Sequence, residues 1–190
     1  KNVRSRLMGI PTLISTATPS NAATLSITSG IDSTYDEYMF VLTDVNPATQ
    51  RTNFMFQFNV DGASGYNEEI TSTSFVTYHY EGGASRAALG YASGSDQANG
   101  TAFQQISNEA GIAADDSLAG ILHLFSPAST TYVKHFYYRG NVNWNAGDDD
   151  VFMYTFHVAG YVNVTGAITD IQFKSSSGNF DGVIQMYGIA

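Results

Sequence analysis

The stretch 53–60 reads NFMFQFNV, and its side chains separate by parity. Phe54, Phe56, Phe58 and Val60 fall on one side of an extended chain, and Asn53, Met55, Gln57 and Asn59 on the other. Strict period-two alternation predicts a strand with one face in a core. Asp61-Gly62 follows at once, a turn dipeptide that accommodates positive φ. The same theme recurs in 23–28, 74–80, 119–125, 131–138, 151–162, 168–173 and 183–189. The stretch 38–45, YMFVLTDV, is apolar almost throughout and reads as a strand covered on both faces.

Clusters of Gly, Asn, Asp and Ser separate these runs, as in EGGAS (81–85), NWNAGDDD (143–150) and KSSSGNFDG (174–182). About nine to eleven short strands punctuated by turn residues predict an all-β antiparallel β-sandwich, jelly-roll-like in its spacing. Alternating βα units are absent, which argues against a parallel sheet. The least strand-like part is 94–118, read as a long loop region over the end of the sandwich, with room for a helical turn or two. The one plausible boundary lies near 19–22. It divides an N-terminal docking arm, 1–22, from a sandwich domain, 23–190.

Composition sharpens this picture. Charged residues are 13% of the chain, about half the globular norm of roughly 25%. Ser, Thr, Asn and Gly take their place, beside 12 Tyr and 12 Phe, a mixture suited to strands and turns. The net charge is −9, and Lys1, Arg4 and Arg6 are three of only eight basic residues. An acidic body disfavours nucleic acid, whose binding depends on Lys and Arg. There is no cysteine, hence no disulfide and no thiolate chemistry. No apolar run reaches the ~18 residues of a membrane-spanning helix, so membrane insertion is not expected.

The segment GIDSTYDEYMFVLTDVNPATQRTNFMFQFNVDGASGY (30–66) resembles a domain of phage and prophage tail-fibre and virion surface proteins. The likeness rests on Tyr35, Tyr38, Pro47, Thr49, the alternating run from Phe54, Asp61-Gly62 and Tyr66. LFSPASTTYVKHF (124–136) is similar to that family's middle segment. AITDIQFKSSSGNFDGVIQMYGI (167–189) resembles its closing hairpin, with Gly178 and Gly182 at the turn and Phe180 as a packing anchor. The resemblance covers about half the chain. It implies virion architecture or host attachment without catalysis, and homotrimers. Family members carry the domain at the end of long chains; here it fills nearly the whole sequence, which favours a small decoration or adhesin subunit.

Candidate chemistry is sparse. His79, His123, His135 and His157 lie inside expected strands without the short paired spacing of metal ligands. No nucleophile elbow and no phosphate-binding glycine loop occurs. Asn141, Asn143, Asn145 and Asp148 to Asp150 are hard oxygen donors that could hold Ca²⁺, but the spacing is not that of an EF-hand and a solvated turn is the favoured reading. No other cofactor is indicated. Glu68-Glu69 and Asp115-Asp116 are the carboxylate pairs a polysaccharide hydrolase would need to place across a cleft.

Trp144, the single tryptophan, is expected in a loop between Asn143 and Asn145, where an indole among amides suits a sugar or receptor contact; the alternative is that it caps the core. Tyr137 and Tyr138 are candidates for a subunit interface. In the arm, Arg4, Arg6, Leu7, Met8 and Ile10 combine charge with apolar surface that needs covering, by docking on a neighbouring subunit or another virion protein, or by an extra edge strand at 13–17. These features point to a non-enzymatic protein on the exterior of a phage particle, a fibre, adhesin or head-decoration subunit contacting its own copies and a host glycan or protein. The rivals are a carbohydrate-binding module of a secreted bacterial protein and a polysaccharide hydrolase.

Overall fold

A computed structural model describes residues 9–83, 86–145 and 151–190, and within them thirteen β-strands and no helix. In chain order they are β1 (Thr12–Ala17), β2 (Leu25–Ile27), β3 (Glu37–Pro47), β4 (Phe54–Val60), β5 (Ile70–Tyr80) and β6 (Ala87–Tyr91). There follow β7 (Gln97–Gly100), β8 (Gln104–Gln105), β9 (Leu118–Phe125), β10 (Lys134–Asn145), β11 (Val151–Val162), β12 (Ile168–Ser175) and β13 (Phe180–Ile189). The larger sheet runs β1-β13-β3-β9-β10-β11-β5-β6, and β7 shares the outer edge of β5 with β6. The smaller runs β2-β12-β4-β8. All pairings are antiparallel, and the two sheets pack face to face as a β-sandwich. This order does not establish jelly-roll connectivity.

The alternation read from sequence builds the core. Phe54, Phe56 and Phe58 of β4 are fully buried, as are Ile171 and Phe173 of β12 and Ile184 and Met186 of β13; Val60 is half-buried. Phe56 meets Phe136 of β10 edge-to-face with ring centroids 5.3 Å apart, which joins the two sheets at their centre. Phe180 is the anchor expected of it, fully buried and edge-to-face with Phe54 at 5.0 Å. Each such side chain contributes roughly 1.5–3 kcal/mol by burial.

Several expectations are corrected. β12 and β13 are consecutive but lie in opposite sheets, so 167–189 is a crossover and not a hairpin. Its turn still uses Gly178 at φ +71°, while Gly182 at φ +148° forms a bulge opposite Asp44 and Val45. β3 buries Tyr38, Phe40 and Leu42 but leaves Met39 and Val41 half-buried, since no layer covers its second face. Conversely, Gln57 and Asn59 on the supposedly wet face of β4 are buried. The Gln57 amide donates to the carbonyls of Glu68 and Ala102, and Asn59 Oδ1 accepts from the Tyr66 backbone, because those segments fold over that end of the sheet.

The 94–118 region contributes β7 and β8 and no helical turn. It runs along the free edge of β4, where Ile106 N donates to Phe54 O and Ser107 Oγ accepts from Phe54 N, so that edge is satisfied. The edge strand considered for 13–17 exists as β1, paired with β13, so this part of the arm belongs to the sheet. Arg4, Arg6, Leu7 and Met8 lie outside the described residues; Ile10 is exposed.

Candidate functional site

Strand β10 extends seven residues beyond the stretch read from sequence and pairs with β11 from Lys134↔Val162 through Asn145↔Val151. Trp144 therefore sits on a strand, not in a loop. Its indole stacks on cross-strand Phe152 with centroids 5.6 Å apart, and the Arg51 guanidinium lies over the ring at 5.4 Å. Trp144 is half-buried, closer to a core cap than to a free stacking platform.

Asn143 is not available as a ligand group. Its Oδ1 accepts from Ser117 N at 2.7 Å and its Nδ2 donates to Asp116 Oδ1 at 3.0 Å and Asp115 O at 3.3 Å. Asp116 is itself buried, with Oδ2 accepting from Ala113 N. Asn143 thus clamps the turn before β9. The backbone of Asn145 pairs with Val151; its side chain, and Asp148 to Asp150 of the proposed Ca²⁺ loop, lie outside the described residues. Among the described residues no group of three or more His, Asp or Glu side chains is placed to hold a metal ion. Of the hydrolase carboxylates, Glu68 accepts from Val60 N and Glu69 from Asn163, on local structural duties.

Tyr137 and Tyr138 separate. Tyr138 faces inward, is buried, and cannot contribute to an interface. Tyr137 faces outward, 42% exposed, stacked on His123 with centroids 4.4 Å apart. It belongs to a surface that sequence reasoning did not assemble: the outer face of the larger sheet, which no layer covers. The register lines up Leu13, Tyr187, Met39, His123 and Tyr137 across five strands. A second row runs Val41, Ile121, Arg139, His157, Phe75 and Tyr91. Phe75 stacks on His157 at 4.7 Å.

All four histidines of the chain lie on this face. Along β9, β10, β11, β5 and β6, Arg139 is the one outward-facing Lys, Arg, Asp or Glu among the described residues. Glu37 on β3 pairs with His123 Nδ1. A shallow trough of about 580 Å³ opens here between Ile121, His123, Tyr137, Arg139, Asn141 and Thr155. On a chain of net charge −9, so large, sparsely charged and aromatic a face is the surface most suited to contact.

A second concavity opens where the nine-stranded sheet outruns the four-stranded one. Tyr78, Phe152, Tyr154 and Trp144 on the inner face of β5, β11 and β10 meet Arg86, Ala87 and Glu109 around a depression of about 480 Å³. Sequence reasoning missed Arg86, Glu109 and Tyr154. Glu109 comes from the 94–118 region and its place here rests on long-range pairing: Ala110 bridges Thr52, and Glu109 N donates to Asn53 Oδ1. Glu109 holds a left-handed backbone at φ +49°, a strained conformation for a glutamate.

Away from both surfaces, Lys134 is buried with its Nζ on the Val164 carbonyl at 3.2 Å, and desolvation lowers its pKa. No family model matches the chain, and neither a curated protein nor a solved structure does so.

Proposed function

We propose that this chain is a non-enzymatic structural subunit of the exterior of a bacteriophage particle, associating with copies of itself through the outer face of the larger sheet. The observation that carries the reading is that face: rows of Tyr, Phe, His and Ile with one formal charge across five strands, on an otherwise acidic protein. Two copies carrying −9 each repel over most of their surface. They approach most favourably where each presents fewest carboxylates, which selects this face and a like partner. The ordered likeness of 30–66, 124–136 and 167–189 to virion surface proteins supports the phage assignment and three copies per assembly. Glu68, Glu69 and Asp116 each accept a local hydrogen bond, which supports a structural role for them over hydrolysis.

Two measurements test this. Light scattering at micromolar concentration should give a multiple of 20.5 kDa, expected to be three, and Ile121→Asp should return it to one. A monomer at all concentrations would remove self-association from the proposal. Immunogold labelling of intact particles, with antibody raised against the folded domain, should decorate their outside; unlabelled particles that contain the protein would contradict an exterior position.

A further inference from the structure

We propose that the depression between Tyr78, Tyr154, Trp144, Arg86 and Glu109 binds one unit of a neutral saccharide. The inference stands apart from the assembly surface, which lies on the opposite face of the same sheet, and holds whether or not the chain self-associates.

Three features point to a ligand. The first is ring surface. Tyr78 and Tyr154 are cross-strand neighbours with centroids 5.5 Å apart and are half-buried, backed by buried Phe152. They form an aromatic floor in a concavity of about 480 Å³, within the range of small-ligand clefts. The second is an orphaned donor. Trp144 Nε1 is buried and has no hydrogen-bond partner among the described residues, an unmet donor on a side chain that lines the depression. The third is Glu109, held in its left-handed conformation by its own N–H bond to Asn53 Oδ1 and by the bridge of Ala110 to Thr52. Strain of this kind concentrates at ligand-binding positions. Burial first, and the negative charge of Glu109 second, raise the Tyr154 pKa and hold its hydroxyl protonated.

The chemistry of the set selects the class of ligand. A carboxylate acceptor and an unmet indole N–H among flat apolar rings match hydroxyl groups fringing the C–H face of a pyranose. A cation is disfavoured, because Arg51 already lies over Trp144 and Arg86 over Phe152 and Tyr80. An anion would meet Glu109. An apolar ligand would leave Glu109 and Trp144 Nε1 desolvated without partners.

Trp144 is the only tryptophan, so its fluorescence reports on this depression directly. The test titrates the full chain with neutral hexose and N-acetylhexosamine trisaccharides, with choline and glucuronate as charged controls. The expected result is a saturable change in emission with at least one neutral trisaccharide and none with the controls. Tyr154→Ala and Glu109→Gln should each weaken it at least tenfold, with near-UV circular dichroism verifying that both variants fold, while Tyr137→Ala on the outer face leaves it unchanged. If neither variant folds, Tyr78→Ala takes their place under the same criterion. No response to any neutral sugar overturns the proposal, as does a response that survives these substitutions or one confined to choline or glucuronate.

Discussion

The Tyr138 ring lies against Gly140, two residues along the same strand, on the buried face of β10. A methyl group added at Gly140, or at its cross-strand neighbour Gly120, would collide with the Tyr138 hydroxyl. That hydroxyl has no hydrogen-bond partner among the described residues. Two consequences are expected in urea unfolding. Gly140→Ala should destabilise by roughly 1–3 kcal/mol through overpacking. Tyr138→Phe should be neutral or stabilising by up to about 1 kcal/mol, because it removes a desolvated group. Destabilisation of Tyr138→Phe by more than that would mean the hydroxyl is bonded after all.

Alkali should unfold the protein through two tyrosines. Burial pushes Tyr38 up to about 12, and its hydroxyl is bonded to Asp32; burial raises Tyr138 further. In the unfolded chain a tyrosine ionises near pH 10. Below that pH neither state loses a proton and the contribution is fully present. Above it the unfolded chain ionises first, so stability falls as pH rises from 10 toward 12. Urea midpoints at pH 9 and pH 11 should differ, and the difference should be smaller in Tyr138→Phe.

Asn143→Ala should cost about 1–3 kcal/mol, because it releases Ser117 N and Asp116 Oδ1 together. Hydrogen exchange should accelerate in 113–117 and little elsewhere. The same variant should leave the tryptophan response to sugars intact, which separates the clamp from a ligand contact.

Phe56 touches Phe58, Phe136 and Phe173 at the junction of the two sheets. Phe56→Ala should lower the unfolding free energy by roughly 3–5 kcal/mol. A cost under 1 kcal/mol would show that this junction is not the centre of the core.

The sequence by itself determined the apolar faces that form the core. Alternation in 53–60 and the residues around Phe173 and Ile184 named the core faces, because the two-residue period of a strand is a local property that survives any arrangement of sheets. The turn at Asp61-Gly62 and the positive φ of Gly178 were legible for the same reason. Parity also held one answer that was overlooked: Tyr137 and Tyr138 are neighbours on a strand and must face opposite ways, so a shared interface was excluded from the outset. Only the tertiary structure decided the rest. That β12 and β13 belong to opposite sheets, that Asn143 clamps Asp116, and that Glu109 lines the same depression as Tyr154 all depend on pairings between residues far apart in the chain, which carry no local periodicity. The two candidate surfaces follow from the same cause. One sheet has nine strands and the other four, so aromatic residues that read alike in sequence end up in the core, at the rim of a depression, or on an open face according to which strand lies opposite.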